Sequence, residues 1–168
     1  MNNNLMFSSD NQKWATRWET FNPIQKRFGL NLDVCSSVGD QKCDNYFSPE
    51  QDGLKQDWTG GDVRFWCNPE YNREQIKWVK YGVEQKASGV FLLPSRTDTK
   101  LFHEVIVPNC EVEFIKGRIT FGSDEYWAWV WEQEYMMSGG VMKKNSLFGK
   151  HGKMNAAPFP SMLVILNM

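Results

Sequence analysis

A strand–helix–strand pattern between residues 64 and 94 limits the fold of this chain more than any other feature of its sequence. A run of bulky apolar residues ending at Cys67 predicts a buried strand, which Asn68-Pro69 ends because proline cannot donate to a ladder. Residues 73–85 have the apolar spacing of an amphipathic helix, and Gly89–Pro94 predicts a second buried strand. Strands joined in this way pair in parallel through a right-handed crossover, so the pattern predicts an α/β sheet.

The carboxyl ends of these strands carry the polar residues that a ligand site needs. Asn68 and Tyr71 directly follow the first strand, and Arg96 and Lys100 follow the second. Ligands of open α/β sheets bind at this edge, and the two cations are candidates for contacts with phosphate or a target base.

The Asn68-Pro69-Glu70-Tyr71 stretch carries groups that suit chemistry on an amine. An exocyclic amine on an aromatic ring is a poor nucleophile because its lone pair is delocalised into the ring. The Asn68 side-chain oxygen and the Asn68 or Pro69 backbone carbonyl could accept from it and stabilise the positive nitrogen of the transition state. Tyr71 could stack on a base turned out of the helix. A strand followed by a turn with an aromatic plug would give the same tetrapeptide, so both interpretations stay open.

Two earlier segments could contribute to the same edge. Residues 30–37 predict a strand and turn in which Asp33 could accept from a cofactor's ammonium or ribose. Tyr46 and Phe47 could flank a purine ring, and Asp52 could accept from an adenine amine. Each aspartate could equally be a residue that caps an ordinary turn.

Composition narrows the class of protein. The 168 residues suffice for one domain with a sizeable core, and 41 % hydrophobic residues are ordinary for a soluble globular protein. We expect a cytosolic protein, because no apolar run approaches the length of a membrane span and the start lacks a signal-peptide pattern. The net charge of −1 argues against indiscriminate binding to nucleic acid. The four cysteines lack the spacing of a zinc site or a disulfide framework.

Residues 122–157 differ in composition from the rest of the chain. Five aromatic residues occur between Tyr126 and Tyr135, and from Val141 onward there are four lysines and no acid. Aromatic wedges and cations suit DNA, so this segment is a candidate target-recognition insertion within a single domain spanning 1–168. A doubly buried strand or a dimer contact would show the same aromatic alternation, and a solvated tail segment would show the same lysines.

The remaining predicted elements flank this unit. Asn22-Pro23 and Gly29 carry the signals of a helix that begins at the proline and ends at the glycine. Residues 110–114 and 117–121 predict two strands, and residues 158–166 predict a core strand.

In their order and spacing these motifs resemble the phage-type DNA N-6-adenine methyltransferase family, over about residues 14–165. Asn-Pro-Glu-Tyr at 68–71 is similar to the family's Asn-Pro-Pro-Tyr, and Leu-Leu-Pro-Ser-Arg-Thr-Asp-Thr at 92–99 is the most specific match. Asp-Gly-Leu at 52–54 and Pro-Phe-Pro-Ser at 158–161 also match. The resemblance implies a Rossmann-like, S-adenosylmethionine-dependent methyltransferase sheet, mostly parallel with antiparallel C-terminal strands.

The resemblance also implies the reaction, which is site-specific methylation of the adenine N6 amine in double-stranded DNA. S-adenosylmethionine is the implied cofactor, no metal is needed, and the protein would act as a monomer or homodimer in a bacterial host's cytoplasm if phage-encoded. The implied catalytic residues are Asn68, Pro69 and Tyr71. The implied cofactor-binding residues are Trp14, Thr16, Asp33, Ser36, Tyr46, Phe47, Asp52, Leu54 and Asn68. The implied DNA-binding residues are Arg96, Lys100, Arg118, Lys143 and Lys144.

Glu70 departs from the family's motif, which usually has proline at this position. A carboxylate that points into the site would attract a sulfonium or an amine but repel nearby phosphate, whereas one that points outward would change little. Losing the proline also loosens a turn that must be held rigidly. The sequence therefore leaves two alternatives open, a catalytically impaired cofactor- or DNA-binding relative and a methyltransferase that acts on RNA or protein.

Overall fold

The structure is a computed structural model that describes residues 15–36, 40–122 and 157–168. Within these ranges six strands form one sheet, flanked by helices on both faces. The strands are β1 (Leu32–Asp33), β2 (Asn45–Tyr46), β3 (Phe65–Cys67), β4 (Gly89–Pro94), β5 (Glu111–Phe114) and β6 (Ser161–Leu166). The helices are α1 (Trp18–Phe28), α2 (Gln75–Gln85), a π-helix (Leu101–Ile106) and α3 (Val107–Asn109), with a 3-10 turn at Gly53–Lys55.

The sheet has the strand order β2-β1-β3-β4-β6-β5. Strands β1 to β4 pair in parallel, and β6 runs antiparallel between β4 and β5. This confirms the predicted α/β sheet, mostly parallel with antiparallel C-terminal strands. The short strand β2 was not expected, because its two residues are exposed and carry no apolar pattern.

Successive side chains of β4 point to opposite faces of the sheet, so the strand contributes to an apolar core on each face. Phe91 and Leu93 belong to the apolar cluster that contains Val79 of α2, whereas Val90 and Leu92 belong to the cluster that contains Phe21 of α1. All six residues of β4 are buried, as expected for a central strand covered by helices on both sides.

Helix α1 begins earlier than its sequence signals predicted. Asn22 is not its N-cap, because the helix starts at Trp18 and contains Pro23 in its interior. Phe21 lies in this first part of the helix and is completely buried against the sheet, and that burial offsets the backbone hydrogen bond that proline cannot donate. The predicted end is confirmed, since Gly29 has a φ of 65° and donates to the Gln25 carbonyl oxygen.

Residues 117–121 do not form the predicted strand. Gly117 turns the chain with a φ of 82°, and Phe121 instead makes an isolated antiparallel bridge with Thr16. The Gly122 N–H donates to the Ala15 carbonyl oxygen over 2.7 Å, so this segment pairs with the early part of the chain rather than with β5. The aromatic residues between Tyr126 and Tyr135 lie outside the described residues. No helix in the described ranges is long and apolar enough to cross a membrane.

The contact between β3 and β4 predicts that Gly89 tolerates no side chain. A Cβ added there would lie 2.3 Å from the Phe65 carbonyl oxygen and 2.4 Å from the Phe65 ring. Gly89→Ala should therefore lower the free energy of unfolding by about 2–3 kcal/mol, measured by urea denaturation. Ser88→Ala adds no atoms at the neighbouring position and is the matched control. An equal, small effect of both substitutions would show that β3 and β4 do not pack in this register.

Candidate active site

Backbone hydrogen bonds bring the carboxyl ends of three strands to one rim of the sheet. The Val34 N–H donates to the Trp66 carbonyl oxygen over 3.0 Å, and the Phe47 N–H donates to the Asp33 carbonyl oxygen over 2.9 Å. β1, β2 and β3 therefore end side by side, and the chain that leaves each of them borders a shared cavity of about 350 Å³. Asn68 lies at this rim because it directly follows β3.

The cavity, which we call the acidic cavity, collects most of the residues predicted to bind a cofactor. It is lined by Thr16, Asp33, Ser36, Phe47, Asp52, Leu54 and Asn68 from that prediction. Its described lining also includes Asp40, Glu70 and Glu74, so five acidic side chains face one lysine, Lys42. Tyr46 does not line it and is exposed on β2, where alternation turns it away from Phe47. Trp14 lies outside the described residues.

Asp33 organises the loop that follows β1. The residue is 3 % exposed, and its carboxylate accepts from the Cys35 N–H at 3.2 Å and the Lys42 N–H at 2.9 Å. Burial raises the pKa of this carboxyl from 3.8 to about 6, and the two backbone donors oppose the rise. Asp33 therefore holds both ends of its loop at the cavity wall.

Asn68 is oriented by a residue far away in the sequence. Its Nδ2 donates to the Thr16 Oγ1 over 2.9 Å, and Thr16 is buried beside the bridge to Phe121. Because the amide nitrogen faces Thr16, the hydrogen bond sets the direction of the other terminal atom, the carbonyl oxygen. Asn68 thus lines the cavity wall, and its Oδ1 is buried in this structure.

Tyr71 is more enclosed than its predicted stacking role allows. The ring is 6 % exposed, its hydroxyl donates to the Leu92 carbonyl oxygen, and Phe121 and Phe159 meet it edge-to-face at 5.8 and 5.4 Å. A base could stack on Tyr71 only if these neighbouring rings moved. Its stacking role stays a prediction.

Glu70, at the position where the resemblance predicts proline, lines the acidic cavity. The residue is exposed, and its Oε2 accepts from the Asn72 Nδ2 over 3.2 Å. The Asn72 N–H also donates to the Glu70 carbonyl oxygen, so a compact turn forms here without a second proline.

The Asp52-Gly53 turn forms another part of the wall. Asp52 has a φ of 55°, accepts from the Leu54 N–H and pairs with Lys55, which lowers the pKa of its carboxyl. The turn also needs glycine at position 53, because a Cβ added there would lie 2.0 Å from the Val34 carbonyl oxygen. The turn is thus pressed against the end of β1.

A second cavity of about 500 Å³, which we call the basic cavity, lies on the other side of the loop that follows β3. Arg96 and Lys100 line it, as does Arg73, and none of its described lining residues is acidic. Arg118 lines neither cavity; its guanidinium donates to the Ala157 carbonyl oxygen. Lys143 and Lys144 lie outside the described residues.

Comparison with known proteins identifies the family. A sequence model described as DNA N-6-adenine-methyltransferase (Dam) matches residues 4–166. The chain belongs to this family.

Two relatives of this Dam-family chain are phage proteins. It is 31 % identical over 123 residues to the DNA N-6-adenine-methyltransferase of Haemophilus phage HP1, covering 70 % of each chain. It is also 31 % identical over 111 residues to the DNA N-6-adenine-methyltransferase of Escherichia phage T1, covering 64 % of this chain and 46 % of the relative. The resemblance inferred from the sequence motifs is therefore confirmed.

Lys42 lines the acidic cavity but was not predicted from the sequence. Its side chain is only 3 % exposed, its Nζ lies 2.5 Å from the Asp40 Oδ1, and it stands 4.7 Å from the centre of the Trp18 ring. Lysine is rarely buried, and the polar sequence around it predicts a surface loop, so its position gave no signal. Only the folded loop shows that a cation lines the acidic cavity.

The raised pKa of Asp33 predicts how stability depends on pH. Ionising this carboxyl costs the folded state about 3 kcal/mol, because its pKa of about 6 exceeds the ordinary value of 3.8. The protonated carboxyl therefore contributes fully to the stability of the folded state below about pH 4. This contribution is lost as the pH rises through 6 and the carboxyl ionises. Asp33→Asn, which is always neutral, should therefore gain stability relative to wild type between pH 4 and 7 in urea unfolding.

Asp62→Asn, at an exposed position, controls for the loss of one carboxylate. A constant difference in unfolding free energy between Asp33→Asn and wild type over this pH range would contradict the burial of an ionisable Asp33.

Proposed function

We propose that this protein transfers a methyl group from S-adenosylmethionine to the N6 amine of adenine at specific sites in double-stranded DNA, in the cytoplasm of a bacterial host. Membership of the Dam family supports the reaction. The observation that carries the assignment of the site is that Asn68 stands at the wall of a cavity lined by most of the predicted cofactor-binding residues.

The acidic cavity suits the chemistry of the methyl donor. S-adenosylmethionine supplies an electrophilic methyl group on a positive sulfur. The cavity lining has five acidic side chains against one lysine, and although Asp52 and Glu74 pair with Lys55 and Lys77, the acids still outnumber these three lysines. Phe47, Leu54 and Trp78 provide apolar surface for the donor's adenine ring.

The amino-acid end of the donor carries a positive ammonium and a negative carboxylate, and the cavity has a partner for each. Asp33 faces the cavity with a buried carboxylate that can accept from the ammonium. Lys42, the cation in the described lining, can donate to the donor's carboxylate in exchange for part of its contact with Asp40.

Asn68 and Pro69 would hold the target amine. The Asn68 side-chain oxygen, which is buried in this structure and must become accessible when the target enters, would accept from the amine together with a backbone carbonyl. The two acceptors would align the nitrogen lone pair with the methyl carbon. Bound S-adenosylmethionine would supply the methyl group, with S-adenosylhomocysteine as the leaving group, and the methylated amine would release one proton to water. The oxygens stabilise the positive nitrogen while it exists, so a base with a shifted pKa is not required.

Asn68→Ala tests this assignment directly. We expect methyl-adenine formation to fall by about 100-fold or more, because an acceptor that acts in the transition state is removed. Binding of S-adenosylmethionine should change by less than about threefold, since most of the cavity wall is intact. The measurement is incubation with labelled cofactor and unmethylated DNA, followed by nucleoside analysis, alongside cofactor binding by calorimetry.

Asn109→Ala, at an asparagine that lines neither cavity, is the control for this variant. Full activity of Asn68→Ala would contradict the assignment. Label on RNA or protein instead of DNA would change the substrate class. Cofactor binding without transfer by the wild type, with transfer restored in Glu70→Pro, would show a catalytically impaired relative.

Lys42→Met tests where the amino-acid end of the donor lies. Methionine preserves the apolar stem beside Trp18 but cannot donate, so binding of S-adenosylmethionine should weaken by about tenfold or more. Binding of decarboxylated S-adenosylmethionine, which lacks the carboxylate, should change much less. Lys26→Met removes an exposed lysine of α1 that lines neither cavity and serves as the control. Equal losses for both ligands would contradict a contact between Lys42 and the carboxylate.

A further inference from the structure

Two cavities of opposite charge meet at the loop that follows β3. Pro69, Glu70 and Glu74 line the acidic cavity, whereas Tyr71–Arg73 and Gln75–Ile76 line the basic one. The loop after β3 and the start of α2 therefore form a wall between them. A positively charged methyl donor can thus lie in the acidic cavity, while the negatively charged groups of a second ligand at Asn68 lie in the basic cavity.

The three cations of the basic cavity have no acidic partner in the described part of the chain. Arg73, Arg96 and Lys100 make no ion pair there, and the acids nearest to Arg73 in sequence are engaged elsewhere. Glu70 accepts from Asn72, and Glu74 pairs with Lys77. Three cations at one concave surface repel each other, so an anion that bridges them would be stabilised.

The lining of the basic cavity also contains an amide and several apolar side chains. Gln75, the first residue of α2, is 9 % exposed, and its Nε2 is buried. The remaining lining includes Leu93, Ile106 and Met162, which give the cavity an apolar floor.

We propose that the basic cavity binds one phosphodiester of the DNA strand that carries the target adenine, with the adjoining sugar against the apolar floor. The proposal rests on the proposed function and adds the place where the strand is anchored. Arg73 is the central contact, because it lies two residues after Tyr71 on the wall between the cavities. A phosphate held there would place the neighbouring nucleotide beside Asn68 and keep the backbone away from the acidic cavity.

Arg73→Gln is the primary test. The ligand is a labelled duplex that contains one site which the wild-type protein can methylate. We expect the dissociation constant to rise about tenfold. The slope of the logarithm of affinity against the logarithm of salt concentration should fall by the amount expected for about one phosphate contact. Affinity for S-adenosylmethionine should be unchanged, which shows that the acidic cavity is intact. Arg73→Lys should recover part of the loss. Lys80→Gln removes an exposed cation of α2 that lines neither cavity, and should leave DNA binding unchanged.

A methylphosphonate scan locates the contact on the DNA. Single neutral linkages placed around the target adenine should weaken wild-type binding at one position, and the same linkage should cost Arg73→Gln nothing further. Equal weakening by Arg73→Gln and Lys80→Gln, or additive losses at every linkage, would overturn the proposal. Failure of the wild type to methylate any DNA would instead overturn the proposed function, on which this inference depends.

Discussion

Parallel pairing of β1, β3 and β4 is the constraint on which the candidate site depends. Leu32 and Asp33 pair with Phe65 and Trp66, and β3 continues in register onto β4, so the three strands end at one rim. A shift of one residue would turn the side chains of a strand to the opposite face and move its polar end away from its neighbours. The apolar clusters on both faces of β4 oppose such a shift, because each buried side chain matches only one face.

Polar contacts between distant segments complete the rim. The Asn68 amide meets Thr16 across 52 residues of sequence, and Thr16 is itself held by its bridge to Phe121. Asp33 holds its own loop closed through backbone N–H groups. These bonds lie among buried atoms, where an unmade hydrogen bond is costly, so they specify one arrangement of the loops. The early part of the chain is therefore part of the site and not merely adjacent to it.

The position of Glu70 agrees with the distribution of charge around the loop that follows β3. Its carboxylate is exposed at the acidic side of the loop, whereas the cations line the basic side. Under the proposed function a negative charge there faces a positive sulfonium, and DNA phosphate is held on the other side of the wall. The substitution of glutamate for the family's proline then adds charge where the methyl donor tolerates it. The turn is closed by hydrogen bonds with Asn72 instead of by a second ring.

The sequence by itself determined the fold class, the order of β3, α2 and β4, and the family, because apolar periodicity and the spacing of motifs are local properties of the chain. It could not determine that α1 contains Pro23, since that depends on the burial of Phe21 against a sheet made from later residues.

Only the tertiary structure decided which residues share a cavity. It turned Tyr46 outward, covered Tyr71 with two aromatic rings and buried Lys42 beside Asp40, because each of these positions depends on contacts between segments far apart in the sequence.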